Sequence, residues 1–174
     1  TTKPFAQSTA DWINSYITNN DKIALIGNGS IGSKVKSNNI TVMKRKHSLN
    51  FEEYDTLIVS VQPEENKHLI NNDILSKFKG KLISVSRSTV IDNEALLKNI
   101  DNISHAYVDT LDENLREDLL ATGKVTYTKH TAFSHGFSYE NNDKYFSELE
   151  EHIMDCLSNM VTNPLLSRSE RETF

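Results

Sequence analysis

Strand-like and helix-like segments alternate along most of the chain, and this alternation is the feature that most restricts its fold. Six short runs are rich in β-branched residues and bounded by turn-forming or charged residues. They span residues 22–27, 40–44, 55–61, 81–86, 104–109 and 124–128. Strands joined by helical crossovers form a parallel sheet that is covered on both faces. The pattern therefore predicts an α/β fold with a doubly wound parallel sheet in three layers and the strand order 3-2-1-4-5-6.

Helical patterns lie between these strands and flank the set. They span residues 5–19, 30–37, 65–79, 92–100 and 142–161. Asp92 or Asn93 can cap the fourth helix. In the first and last helices, apolar residues recur every three or four positions, which is typical of an amphipathic helix.

Composition excludes several classes of protein. Hydrophobic residues make up 37% and charged residues 25% of the 174 residues, a balance typical of a soluble globular domain. The chain has a formal net charge of −5 and one cysteine, Cys156. We therefore expect a cytoplasmic protein that binds neither nucleic acid nor membranes. No spacing of His, Cys, Asp and Glu predicts a metal site.

Three of the six glycines lie within six positions, in the stretch KIALIGNGSIGSKV. Gly27, Gly29 and Gly32 form a GxGxxG pattern between a predicted strand and a helix-compatible segment. In such a turn, the first glycine allows a tight bend, the second lets a pyrophosphate approach the backbone, and the third permits close helix packing. The pattern predicts a Rossmann-type dinucleotide site in which Ser30 and Ile31 also hold the pyrophosphate. The alternative is an ordinary structural turn.

The second predicted strand ends in a cluster of cations, Lys44, Arg45, Lys46 and His47. Dinucleotide-binding folds often have an acidic residue here, which accepts hydrogen bonds from the ribose hydroxyls. Cations cannot accept such bonds, but they can bind a 2′-phosphate. The cluster therefore favours NADP over NAD, with Lys44 and Arg45 as contacts. The alternative is a solvated loop.

Several segments carry a resemblance to a known family. They read ALIGNGSIGSKV, DTLIVSVQPEENKHLINNDILSKFKGKLISVSRSTVIDNEALL, AYVDTLDEN and TYTKHTA. In this order, they resemble the nucleotide-binding domain of the D-isomer-specific 2-hydroxyacid dehydrogenases. The resemblance covers about residues 22–135, and its most specific piece is SVSRSTVIDNEALL.

The resemblance implies roles for individual residues. Arg87 matches the arginine that holds the substrate, and a planar guanidinium can bind a carboxylate while polarising a neighbouring carbonyl. His130 matches the acid/base histidine, a task that suits imidazole because its ordinary pKa lies near neutral pH. Pro63, Ser86 and Asp109 match positions beside the cofactor.

The chain departs from the family pattern at three positions. Where the family has a glutamate that orients the histidine, this chain has Asn114, with Glu113 beside it. Either Glu113 substitutes after a one-residue shift, or the acid/base pair is impaired. Lys129 replaces the proline that usually precedes the histidine, and Ser88 replaces the glycine that follows the arginine.

The resemblance also implies a domain organisation. Residues 1–21 form a flanking helix, residues 22–135 form the NAD(P)-binding domain, and residues 136–174 form a helix and tail. We expect most of the substrate domain to be absent, as in an excised piece, a shortened enzyme that uses a partner, or a nucleotide-sensing module.

The leading functional hypothesis is an enzyme. It is an NAD(P)-dependent oxidoreductase that reduces a small 2-ketoacid such as glyoxylate, hydroxypyruvate or pyruvate. The competing hypothesis is a non-catalytic NAD(P)-binding module that reports redox state to a partner. We further expect a homodimer, with the apolar faces of helices 5–19 and 142–161 as candidate contacts.

Overall fold

The computed structural model contains a six-stranded parallel sheet. The structure describes residues 3–44 and 50–136, which belong to one compact unit, and residues 150, 151, 153–155, 157 and 158, which belong to a second. The strands are β1 (Ile23–Ile26), β2 (Ile40–Met43), β3 (Thr56–Val59), β4 (Lys81–Ser84), β5 (His105–Val108) and β6 (Val125–Tyr127). All six predicted strands are confirmed.

The order of the strands differs from the prediction. It is β2-β1-β3-β4-β5-β6, so the predicted order 3-2-1-4-5-6 is wrong. The predicted order makes the third strand an edge strand, yet all four residues of β3 are buried. An edge strand leaves backbone groups unpaired, so a fully buried strand needs a neighbour on each side. The partly exposed β2 occupies the edge instead.

Helices cover both faces of the sheet. They are α1 (Lys3–Asn14), α2 (Asn72–Leu75), α3 (Asn93–Asn99) and α4 (Arg116–Ala121). Trp12 and Ile13 of α1 pack in one apolar cluster with alternate residues of the central strands. Apolar strand residues such as Ala24, Leu57 and Leu82 pack in a second cluster with Leu75 of α2, Leu96 of α3 and Leu119 of α4. These two clusters confirm the three-layer, doubly wound architecture.

The helix predicted over residues 30–37 is wrong, because the chain forms a single 3-10 turn at Gly32–Lys34. Val35 is extended, and only four residues separate it from β2, which begins at Ile40. The side chain of Asn14 holds this segment, since it donates to the Lys34 carbonyl over 3.3 Å and accepts from the Lys36 N–H over 2.9 Å. These contacts compete with helical backbone hydrogen bonds.

The helix predicted over residues 65–79 is much shorter in the structure. Ile70 forms a parallel bridge with Ile91, so the chain is extended there, and Asn71 then caps α2. The helix predicted over 92–100 is confirmed as α3, with Asp92 as its N-cap, whereas α4 was not predicted. Most of the helix predicted over 142–161 lies outside the described residues.

The apolar side of α1 is buried within the chain itself. Trp12 is 3% exposed and Ile13 is 0% exposed. The expectation that this face contacts a second copy is therefore wrong, because the sheet of the same chain already covers it. No helix among the described residues is long and apolar enough to cross a membrane.

Candidate functional site

A cavity of about 490 Å³ opens at the carboxyl ends of the strands. Residues that follow five of the six strands line it, including Gly29 after β1, Pro63 after β3, Arg87 after β4, Asp109 after β5 and His130 after β6. The connection from β1 leads to β2 on one side of it, and the connection from β2 then crosses to β3 on its other side. Ligands of doubly wound sheets bind in the crevice beside such a switch point.

The three glycines of the turn after β1 differ in their surroundings. Gly27 has φ +94°, and a Cβ there would lie 2.1 Å from the Ser60 carbonyl oxygen. A Cβ on Gly32 would lie 2.0 Å from the Gly27 carbonyl oxygen. Gly29 has no atom within 4 Å of its Cβ position and lines the cavity. Gly27 and Gly32 are therefore required for packing, whereas Gly29 leaves its backbone open to a ligand.

The backbone of this turn is open to the cavity at Gly29. Ser30 and Ile31 line the cavity beside Gly29. No α-helix dipole points at this turn from the described segment that follows it, because only the 3-10 turn Gly32–Lys34 forms there. Any phosphate bound here would depend on individual backbone N–H groups.

Lys44 lies at the same edge of the sheet as the glycine turn. It follows Met43, which pairs with Ile26, and Ile26 directly precedes Gly27. Lys44 is exposed, whereas Arg45 and the two residues after it lie outside the described residues.

Ser86 joins two loops at the base of the cavity and is 5% exposed. Its hydroxyl oxygen accepts a hydrogen bond from the Val61 N–H over 2.9 Å, and its carbonyl accepts one from the Thr110 hydroxyl over 2.9 Å. The loop that carries Pro63 is thereby tied to the loop that carries Arg87.

Asp109 is 4% exposed and holds the loop that carries His130. Its Oδ1 accepts hydrogen bonds from the Thr128 hydroxyl over 2.5 Å and from the Ala132 N–H over 3.0 Å. Its carbonyl accepts from the His130 N–H over 2.7 Å. Three contacts to one residue therefore fix the backbone around His130.

The side chains of Arg87 and His130 meet at the wall of the cavity. Arg87 Nη1 lies 3.4 Å from His130 Nδ1, and both residues are exposed. A guanidinium can only donate, so Nδ1 is the acceptor and the proton of the neutral ring is on Nε2. One of the five guanidinium N–H groups serves this contact, which leaves four for a substrate.

The structure does not join Glu113 to His130. Glu113 is exposed, and no carboxylate of residues 3–44 or 50–136 forms a hydrogen bond or ion pair with the imidazole. Asn114 lines a second cavity with Asp112 and Ser88, and its N–H donates to Asp112 Oδ1 over 2.9 Å. No cluster of three or more His, Cys, Asp and Glu residues in the described parts of the chain could hold a metal.

Comparison with protein families identifies the chain. Residues 39–132, more than half of the 174 residues, match the family described as D-isomer specific 2-hydroxyacid dehydrogenase, NAD binding domain. The chain belongs to this family. The resemblance seen in the sequence is confirmed over the matched residues, which begin just before β2 and do not include the glycine turn. A comparison with curated protein sequences gives no significant match.

Several solved structures have the same fold as this member of the dehydrogenase family. An acyclic imino acid reductase in complex with NADPH and D-Arg has a TM-score of 0.66 and 20% identity, and the alignment covers 90% of this chain and 66% of that one. The NADPH-dependent glyoxylate/hydroxypyruvate reductase of Sinorhizobium meliloti has a TM-score of 0.62 and 22% identity over 78% and 60% of the two chains. D-lactate dehydrogenase of Aquifex aeolicus has a TM-score of 0.64 and 19% identity over 92% and 62%. This chain therefore spans about two thirds of their length or less.

Sequence reasoning missed two aromatic residues of the site in this dehydrogenase domain. Phe5 of α1 and Phe133 line the cavity and pack edge to face, with ring centroids 5.3 Å apart. Phe133 follows His130 by three positions, so the motif KHTAF could have indicated it. Phe5 gave no such signal, because only the folded chain brings α1 to this loop.

Lys129 and His130 have left-handed backbones in this member of the dehydrogenase family. Their φ angles are +56° and +62°. Each such residue costs about 1–3 kcal/mol of stability and persists only where its surroundings fix it. A proline, the residue expected at position 129, has φ near −65° and cannot adopt this backbone. A chain with proline at position 129 must therefore have a loop conformation that differs from the one seen here with Lys129.

Substitution of Lys129 tests this strain. We expect Lys129→Gly to raise the free energy of unfolding by about 0.5–1 kcal/mol, because glycine adopts a positive φ without steric cost. Lys129→Pro should lower it by about 2 kcal/mol or more, because the ring forbids the native φ. Urea denaturation measures both values.

Lys98, an exposed residue of α3, provides the matched control. Lys98→Gly should destabilise the protein by about 1 kcal/mol, as glycine does in a helix. A similar loss of stability for Lys129→Gly would contradict the assignment of strain to Lys129.

Proposed function

We propose that this chain is the NAD(P)-binding part of an oxidoreductase that interconverts small 2-ketoacids and D-2-hydroxyacids. The observation that carries this proposal is the meeting of Arg87 and His130, 3.4 Å apart, on the wall of the cavity that Gly29 also lines. Solved relatives of the same fold include a glyoxylate/hydroxypyruvate reductase and a D-lactate dehydrogenase. Their names agree with the small acids that this pair could bind.

The proposed cofactor site extends from the glycine turn to the base of the cavity. Gly29, Ser30 and Ile31 would hold the pyrophosphate, with Gly27 and Gly32 shaping the turn. The bound dinucleotide would supply or accept the hydride. The nicotinamide end would lie beside three residues that line the cavity, Pro63, Ser86 and Asp109.

NADP is the proposed cofactor, with NAD as the alternative. Lys44 lies beside the glycine turn at the carboxyl edge of the sheet, where the adenosine ribose of a dinucleotide would come. Its ammonium group, together with the guanidinium of the next residue, Arg45, could neutralise a 2′-phosphate. Solved relatives bind NADPH in one case and NAD in another.

Arg87 would hold the substrate. Its four remaining N–H donors suffice for two hydrogen bonds to the substrate carboxylate and one to the carbonyl oxygen. The positive charge would stabilise the negative charge that develops on this oxygen during reduction.

His130 would deliver the proton. Imidazolium carries a proton on both nitrogens, so it cannot accept the hydrogen bond from Arg87. The contact between Arg87 and His130 must therefore open before the histidine acts as an acid, and a carboxylate bound to Arg87 would replace it. His130 would then give its proton to the carbonyl oxygen and become neutral, while the carbonyl carbon would take up the hydride that the bound dinucleotide supplies.

A non-catalytic NAD(P)-binding module is the second candidate function. The observation that favours it concerns Glu113, which is exposed and forms no hydrogen bond with His130. A carboxylate beside imidazole stabilises the charged acid form, and an arginine does not. The proposed role of Glu113 as the orienting carboxylate thus rests on the sequence alone.

We also propose a cytoplasmic homodimer. Within the second unit, Ile153, Met154 and Leu157 are 47%, 61% and 50% exposed in the single chain, which suits a contact between copies. Light scattering at micromolar concentration should give twice the mass of the chain, and the mass of a monomer would contradict the dimer.

Gly29→Ala tests the cofactor site. The added methyl group meets no protein atom within 4 Å, so the melting temperature should not change. NADPH should bind at least about tenfold more weakly, because the methyl group lies where the pyrophosphate would approach. Fluorescence titration with NADPH measures the dissociation constant, and the same titration with NADH measures the preference.

Gly27→Ala is the contrasting variant. Its Cβ would lie 2.1 Å from the Ser60 carbonyl oxygen at a positive φ, so we expect a loss of about 2–4 kcal/mol in stability. Unchanged NADPH binding by Gly29→Ala would refute the proposed pyrophosphate site. Tighter binding of NADH than of NADPH by the wild type would refute the preference for NADP.

Arg87→Ala and His130→Ala test the catalytic pair. Each should lower kcat/KM by about 10²–10⁴-fold for the best substrate in a panel of glyoxylate, hydroxypyruvate and pyruvate. NADPH oxidation measures the rate. His135→Ala, an exposed histidine of the same unit, should remain within about twofold of the wild type as the matched control.

Two outcomes separate the candidate functions. Full activity in both alanine variants would exclude Arg87 and His130 from the reaction. NADPH binding by the wild type without turnover of any 2-ketoacid would favour the non-catalytic module.

A further inference from the structure

The segment from Thr128 to Ala132 is folded around the buried carboxylate of Asp109. The Thr128 hydroxyl donates to Oδ1 from the start of the segment, and the Ala132 N–H donates to the same atom from its end. Between them, the His130 N–H donates to the Asp109 carbonyl. The loop that carries His130 is thus closed at both ends on one residue.

Asp109 is itself fixed to the sheet. Its N–H donates to the Ser84 carbonyl over 2.9 Å, which continues the pairing of β4 with β5. Thr128 is also held by its backbone, because its N–H donates to the Val108 carbonyl over 3.2 Å. A rigid path of hydrogen bonds therefore leads from the sheet, through Asp109, to the loop.

We propose that Thr128 is a positioning residue that, by means of its hydrogen bond to Asp109, fixes the backbone of His130 so that the imidazole stays at the cavity wall beside Arg87. This inference rests on the proposed function, in which His130 delivers the proton. Thr128 lines no part of the cavity, so it acts through Asp109 and does not touch the substrate.

The backbone of the loop explains why this hydrogen bond matters. Lys129 and His130 adopt consecutive left-handed conformations, which non-glycine residues keep only where the surroundings fix them. The contact from Thr128 is a short bond to a carboxylate, and such charge-assisted bonds are stronger than neutral ones. Without it, the segment can relax toward ordinary backbone angles, and the imidazole moves with the backbone.

The hydroxyl group is the part of Thr128 that the proposal requires. Thr128→Val keeps the size and branching of the side chain but removes the donor, whereas Thr128→Ser keeps the donor. Thr126→Val is the matched control, because Thr126 lies in β6, two positions before Thr128, and its hydroxyl contacts His105 over 2.8 Å, away from the loop.

Two measurements test the proposal on the full chain. Steady-state kinetics with the best 2-ketoacid should show that Thr128→Val lowers kcat by about 10- to 100-fold, since small misplacements of a reacting group have effects of this size. The KM for NADPH should stay within about twofold, and Thr128→Ser and Thr126→Val should keep kcat within about threefold. Long-range ¹H–¹⁵N spectra of the histidines should show His130 as the Nε2–H tautomer in the wild type and as a mixture of tautomers in Thr128→Val.

Several results would overturn the proposal. A wild-type kcat in Thr128→Val, or equal losses in Thr128→Val and Thr128→Ser, would mean that the hydroxyl does not position the histidine. An unchanged tautomer of His130 in Thr128→Val would mean the same. The spectra need no turnover, so an inactive wild type would defeat the proposed function while the tautomer still decides whether Thr128 positions His130.

Discussion

The pairing of β1 with a strand on each side is the constraint on which the site depends. β1 and β3 are buried throughout and lie side by side in parallel, so their carboxyl ends reach the same edge together. The loops that follow are then forced into close contact, and Gly27 is needed because a side chain there would strike the Ser60 carbonyl. The cavity therefore forms as a result of strand order and of one residue without a side chain. Gly29, two positions later, remains open within a turn that packing has already fixed.

The sequence was sufficient to predict the strands and the residues that follow them. Runs rich in β-branched residues indicated all six strands, and the carboxyl ends of parallel strands share one edge. For this reason Gly29, Pro63, Arg87, Asp109 and His130 could be assigned to one site before the fold was known, and all of them line the cavity. Their proximity follows from topology and does not require knowledge of any side-chain contact.

Features that depend on contacts distant in the chain could not be predicted. The strand order depends on which strands need two neighbours, and only burial reveals that β3 does and β2 does not. The segment after Gly32 has a helical pattern, yet it forms only a 3-10 turn, and the side chain of Asn14 bonds the backbone of Lys34 and Lys36. Thr128 meets the Asp109 carboxylate across 19 positions of the chain. In each case a tertiary hydrogen bond or packing contact outweighs the local preference on which sequence patterns rely.

The site is divided into a buried base and an exposed rim. Ser86 and Asp109 are buried and fully engaged in holding loops, whereas Arg87 and His130 are exposed side chains at the wall of the cavity. Electrostatic stabilisation of a reacting group is strongest where water is excluded. The interactions that shape the dinucleotide site are therefore contained in this chain, because they arise from its own packing. The proposed proton and hydride transfer would depend in addition on whatever covers Arg87 and His130 when a substrate binds, so binding and turnover would be separable properties.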